Sequence, residues 1–238
     1  MTVLEPEIAL APRRPLRFSI PRAVAIVAIP AVFVVVGLVI RYFAYAASAD
    51  IPNLSDFPDG LCRWDCSWYV YIAEHGYNPF PTPTMSAGGN WAFFPLAPIL
   101  VGLVRLITSL PTMPLAMGIS IALSYATAIL AWPLLGRDLR AHTLFSAYLL
   151  AGPFSIYFTT FMTEAAFILL TTGALLALER RAYLSAGLVA GLLSATRIVG
   201  VFMAVAMLAQ LVADHVAARR PMRSFVPEML KRPDILLG

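Results

Sequence analysis

The chain has 238 residues, of which 60% are apolar and 13% charged, with a formal net charge of +4. An ordinary soluble domain carries about 25% charged residues, so the composition excludes a water-facing soluble enzyme, and the apolar content excludes a solvated coil. The remaining class is an all-α polytopic membrane protein with a handful of spans and one modest loop.

The basic residues are 16 arginines and Lys231, in short clusters between apolar runs. Such clusters read as topology signals, and no nucleic-acid partner is expected. Arg13, Arg14, Arg17 and Arg22 mark a cytoplasmic tail over 1–22, followed by an apolar run over 23–46. That run is longer than a signal-peptide core and is predicted to be an uncleaved first span. Crossing a ~30 Å hydrocarbon core takes about 20 helical residues. Pro30 interrupts the run, and Arg41 lies near enough to one end to be expected to snorkel. Further spans are predicted over 114–135, 143–160, 163–178, 183–200 and 201–215.

The stretch 93–110 decides the topology. If it crossed, Arg137, Arg140, Arg180, Arg181, Arg219, Arg220 and Arg223 would all lie opposite Arg13 and Arg14. If it lies in the interface, all of them share one side, as cytoplasmic arginines should. Pro95, Pro98 and Arg105 also suit an interfacial helix better than a span. The expected architecture is therefore about six transmembrane helices within a domain over 23–215. It has an external first loop over 47–113 containing interfacial helices, and a basic cytoplasmic tail over 216–238.

The external loop holds Asp50, Asp56, Asp59, Asp65 and Glu74 against Arg63 and Arg105. Trp64, Trp68 and Tyr71 recur at helical spacing, as expected of a helix in the aromatic belt. Asp65 is placed to act as a general base at the membrane surface, to pair with Arg63, or to face water. Glu164 opens an apolar run, where it reads as a site residue or, with Thr160 or Thr163, as a helix start. Arg197 lies inside an apolar run and is a functional candidate by default; Glu164, Asp65 and a lipid phosphate are its plausible partners. Parity puts all three residues on the external side. Acids facing a lone arginine there suit transfer from a phospholipid-like donor: a base for an acceptor hydroxyl, a cation for the leaving phosphate.

Cys62 and Cys66 are four apart and read as a disulfide or as two thiols. With His75 they match no structural zinc spacing. Asn53-Leu54-Ser55 formally fits the glycosylation triplet, and His142 and His215 read as interfacial residues.

Several segments together carry a resemblance. Arg63-Trp64-Asp65 with Trp68-Tyr69, then Ile72-Ala73-Glu74-His75-Gly76-Tyr77, then Ala92-Phe93-Phe94-Pro95-Leu96-Ala97-Pro98, resemble the first external loop of the PIG-V family of mannosyltransferases. Thr163-Glu164-Ala165-Ala166-Phe167 and Ala195-Thr196-Arg197 with Gly200 resemble that family's Ser/Thr-Glu-x-x-Phe and Ala-Thr-Arg segments, in the same order. The family belongs to the GT-C superfamily, so the resemblance implies transfer of a hexose, mannose in the family, from a dolichyl or undecaprenyl phosphate sugar on the external face. It implies Asp65 as catalytic acid or base and Trp64 as its positioning neighbour, with Glu164 and Arg197 on acceptor or donor phosphate. Arg63, Glu74 and His75 lie in the same motif and join the substrate-binding candidates. No cofactor is certain; the superfamily has metal-dependent and metal-independent members, which leaves a divalent metal open.

The arginine-rich, lysine-poor composition suggests a bacterial inner-membrane relative, or an endoplasmic-reticulum protein if the source is eukaryotic. Family members are usually longer, so the chain is expected to be a shortened relative or an N-terminal fragment. The rival expectation is a non-catalytic bundle, either a partner subunit or a transporter-like protein. A transporter would call for broken helices in paired halves.

Overall fold

The computed structural model describes residues 20–78 and 89–231, so the cluster of Arg13, Arg14 and Arg17 and the end of the basic tail lie outside the described residues. The described residues are helical, with no strand. The helices are α1 Ile20–Ser48, α2 Phe57–Gly60, α3 Cys66–His75, α4 Leu96–Thr108, α5 Thr112–Leu130, α6 Leu139–Ala151, α7 Glu164–Glu179, α8 Tyr183–Ser194, α9 Phe202–Ala217 and α10 Phe225–Met229.

Three helical segments are long and apolar enough to cross a bilayer: Arg22–Ser48, Thr112–Leu130 and Ile198–Ala217, the last including a 3₁₀ turn that runs into α9. The α1 surface leaves Val32, Val35, Ile40 and Phe43 exposed, and α9 leaves Phe202, Val205 and Leu208 exposed. Such exposed apolar faces suit lipid rather than water.

Hydrogen bonds between helices fix their directions. His142 Nε2 on α6 donates to the Ile26 carbonyl (3.1 Å), and Arg41 Nη2 donates to the Leu150 carbonyl (2.8 Å), so α1 and α6 run parallel. The Tyr125 hydroxyl, late in α5, donates to the Val27 carbonyl early in α1 (3.1 Å), so these two run antiparallel. Small residues let α7 and α8 pack closely, with Ala174 and Ala186 fully buried, and Met203, Met207 and Leu211 of α9 complete that core. Small residues serve this purpose where helices must approach without help from water.

Two sequence expectations change. Arg41 does not snorkel: it is 7% exposed and its guanidinium binds the last turn of α6. Helix ends leave carbonyls without partners, and in an apolar surround each must be satisfied internally. The expected helix over 143–160 also stops early, because Gly152 and Pro153 follow Ala151 and only a 3₁₀ turn, Ser155–Phe158, comes next. The residue before a proline is pushed out of the helical region.

α2, α3 and α4 fold as a cap. α3 packs on α4, and Gly102 permits the contact, since a Cβ there would sit 2.9 Å from the Ala73 carbonyl oxygen. The start of α4 and the end of α3 are each tied to the bundle. The Leu96 amide donates to the Ala195 carbonyl (3.0 Å), and Thr112, at the start of α5, donates to Glu74 (2.5 Å). A buried cluster under the cap joins Cys66, Tyr69, Ala97, Val101, Met113 and Phe161.

Candidate functional site

Asp65 directly precedes α3, at the end of a constrained turn. Trp64 just before it has φ of 52°, the left-handed region that a bulky residue adopts only when held there. Two contacts hold it. A disulfide joins Cys62 to Cys66 across the turn, and the Trp64 ring stacks on Tyr157 with centroids 5.1 Å apart. Of the two readings of the cysteines, the bonded one applies. Cys66 is fully buried, so the turn is anchored to the protein interior as well as closed on itself.

Glu164 is the first residue of α7, and the N-cap residue Thr163 makes no side-chain capping bond. Instead the Glu164 carboxylate is paired with Arg197. Arg197 has extended backbone (φ −159°, ψ 149°) in the break between α8 and the 3₁₀ turn Ile198–Val201. Gly200 is required for that break to fold back, because a Cβ there would lie 2.5 Å from the Leu193 carbonyl oxygen. The arginine side chain is 43% exposed and the glutamate 23%, so the pair is open on one side.

That open side is a cavity of about 380 Å³ lined by Asp65, Tyr69, Phe93, Thr163, Glu164 and Arg197, among others. Residues 65, 164 and 197, far apart in sequence, thus meet at one end of the bundle. Asp65 makes no side-chain capping bond and no ion pair, with Arg63 or any other described residue, and its side chain is exposed.

Tyr69 is the member that sequence reading missed. It is 8% exposed and follows Asp65 by four, on the same face of α3. That spacing was the available signal, masked because Tyr69 also fits a packing face. Burial pushes its hydroxyl pKa up, the Glu164 and Asp65 carboxylates add to that, and a Thr163 hydrogen bond and Arg197 oppose it. The hydroxyl therefore stays protonated and can donate to a ligand oxygen.

Ala92, Phe93 and Phe94 line the cavity and are braced by the turn at Gly76. Buried Asn90 donates to the Gly76 carbonyl (3.2 Å) and accepts from the Asn78 amide (3.0 Å), and the Tyr77 hydroxyl donates to the Phe93 carbonyl (2.6 Å). Phe93 stacks on Trp68 and meets Tyr69 edge-on.

Four sequence candidates do not line the cavity. Arg63 is exposed, and Trp64 supports the turn. Glu74 and His75 sit at the other end of α3, roughly 14 Å along the helix from Asp65. His75 stacks on Tyr71, and Glu74 accepts from Thr112. Among the described residues no three His, Cys, Asp or Glu side chains come together as a metal-ligand set. Asp65 and Glu164 are the cavity's two carboxylates, and Arg197 already engages the second.

No family model matches the chain, and neither the curated proteins nor the solved structures give a match.

Proposed function

We propose that the chain is a membrane glycosyltransferase of the GT-C type, similar to the PIG-V mannosyltransferases, moving a hexose from a polyprenyl phosphate to an acceptor hydroxyl on the external face. The observation that carries this reading is the meeting of Asp65, Glu164 and Arg197 in one cavity. These residues come from three separate motifs of the resemblance.

In this reading the chain crosses the bilayer six times. α6 and α8 stop short, and the irregular segments after them lead to the cavity, as non-helical backbone at membrane depth should. α4 lies in the interface with Ile99, Leu103, Leu106 and Ile107 toward lipid. The arginine loops face the cytoplasm, and the bacterial inner membrane is the compartment.

Asp65 takes the proton of the acceptor hydroxyl as its oxygen attacks the anomeric carbon. The bond from that carbon to the phosphate oxygen breaks, and the polyprenyl phosphate leaves. Arg197, held by Glu164, offers a planar guanidinium to the departing phosphate. Tyr69 donates to a sugar or phosphate oxygen within the cavity.

Transfer of labelled mannose from dolichyl or undecaprenyl phosphate mannose, in membranes carrying the protein, tests the proposal. Asp65→Asn should lower transfer about 10²- to 10⁴-fold, the usual worth of a positioned base. Equal transfer by both proteins removes Asp65 from the reaction. No transfer by either favours the non-catalytic subunit.

A further inference from the structure

A second cavity, of about 570 Å³, lies between α2, the far end of α3, the end of α4 and the start of α5. Its polar lining carries both signs of charge: Arg105 in the last turn of α4, Asp59 on α2 and Glu74 in the last turn of α3. No ion pair joins these groups, so their charges are not spent on one another. Glu74 Oε1 accepts from Thr112, which orients the carboxylate and leaves Oε2 for a ligand. The lining is also apolar at Leu106 and Leu110, which are 77% and 50% exposed. These leucines continue into the outer face of α4, where Ile99, Leu103 and Ile107 are exposed.

Arg105 is half-buried and the two carboxylates are exposed, all without an ion pair along one cavity, so a ligand that brings both opposite charges complements the three together. The leucine rim calls for a ligand with a hydrocarbon part. We propose that this cavity binds the head group of an aminophospholipid, with its phosphodiester on Arg105 and its primary ammonium between Asp59 and Glu74. Its acyl chains then lie along the apolar face of α4. A guanidinium pairs with two phosphate oxygens, and a primary ammonium has three protons to give to carboxylates. A trimethylammonium has none, and a glycerol head group brings no cation. The inference shares with the glycosyl-transfer reading only the membrane placement of the chain.

The test uses the full chain purified in a neutral detergent and offered equal amounts of phosphatidylethanolamine, phosphatidylcholine and phosphatidylglycerol with identical acyl chains. Native mass spectrometry reads the retained lipid. Phosphatidylethanolamine is expected to be retained about tenfold over the other two, the worth of one charge-assisted contact. Arg105→Gln should lower retention of all three, whereas Glu74→Gln with Asp59→Asn should bring phosphatidylethanolamine down to the level of phosphatidylcholine. Equal retention of the three lipids, preference for phosphatidylglycerol, or an unchanged pattern in the carboxylate variant each overturns the proposal. Soluble phosphoethanolamine at the same concentration should not displace the lipid; displacement would assign the cavity to a small metabolite instead. Asp65→Asn, in the other cavity, should keep the lipid preference. A chain that transfers no sugar yet keeps that preference would remove the enzymatic reading alone.

Discussion

At the end of the bundle where α7 turns into α8, Asp214 is surrounded. Arg181 gives it two bonds (2.8 and 3.0 Å), Tyr183 one (2.7 Å) and Gln210 one (3.1 Å). Beside it Glu228 is paired with Arg220, and buried His215 donates to the Pro221 carbonyl (3.1 Å). At the other end, Asp65 has no ion pair, and Arg197 is held on one side by Glu164 and open on the other. Residues of the same types thus pair with one another at one end, where they line a cavity of about 580 Å³, whereas at the other end Asp65 lines its cavity without an ion-pair partner among the described residues. A satisfied network fixes a loop, whereas polar groups left facing a cavity are free to meet a ligand.

The comparison can be broken most sharply at Arg197. Arg197→Gln should cut mannose transfer by about 10²- to 10³-fold, the scale of losing one charge-stabilising donor. Arg181→Gln, the matched change at the paired end, should leave the rate within about twofold, because an exposed ion pair contributes little. Equal losses in the two variants would erase the distinction between the ends.

Removing both cysteines, Cys62→Ala with Cys66→Ala, should cost about 2 kcal/mol of stability from the short closed loop. It should also lower transfer, because Trp64 and Asp65 lose the constraint on their turn. Thermal unfolding and transfer measured on the same sample separate the two effects; an unchanged rate in a destabilised protein would show that the turn holds its shape without the bond.

Tyr69→Phe should keep the fold and lower transfer about tenfold, the worth of roughly one hydrogen bond to the reacting oxygens. A change confined to stability would make the hydroxyl a packing group.

The smallest effect belongs to the paired end. Hydrogen bonds from Arg220 and then Ser224 hold the Glu228 carboxyl below the usual glutamate range. The stabilisation is therefore present above the ordinary glutamate pKa of about 4.3 and is lost as pH falls through the lowered value. In thermal melts between pH 6 and pH 3, the advantage of the unchanged protein over Glu228→Gln should shrink toward the acid end. An advantage constant with pH would separate the pair from stability.

Much of the fold was legible in residue order. The apolar runs are helices, and the runs over 23–46 and 114–135 correspond to α1 and α5, two of the three segments long enough to cross a bilayer. Hydrophobic period and length fix such helices locally, without reference to neighbours. Glu164 and Arg197 stood out because a charge within or beside an apolar run has few reasons to be there, whereas Asp65, in a polar loop, stood out only through its motif. Other features were not legible. Arg41 looked like a residue able to reach the membrane surface, and only the arrival of the α6 end beside it made it an internal cap. Glu74 and His75 shared a motif with Asp65, yet a helix of 10 residues carries them away from it.

What the sequence determined by itself is a scarcity: a chain with few charges, all-helical and apolar, in which a small set of ionisable residues stands out. What the tertiary structure alone decided is which of them meet. The path through α3, the break at Gly152 and the fold-back at Gly200 bring Asp65, Tyr69, Glu164 and Arg197 to one cavity and leave Asp59, Glu74 and Arg105 to another. Helix formation is a local matter of period and propensity, whereas the meeting of side chains a hundred residues apart depends on how the helices pack.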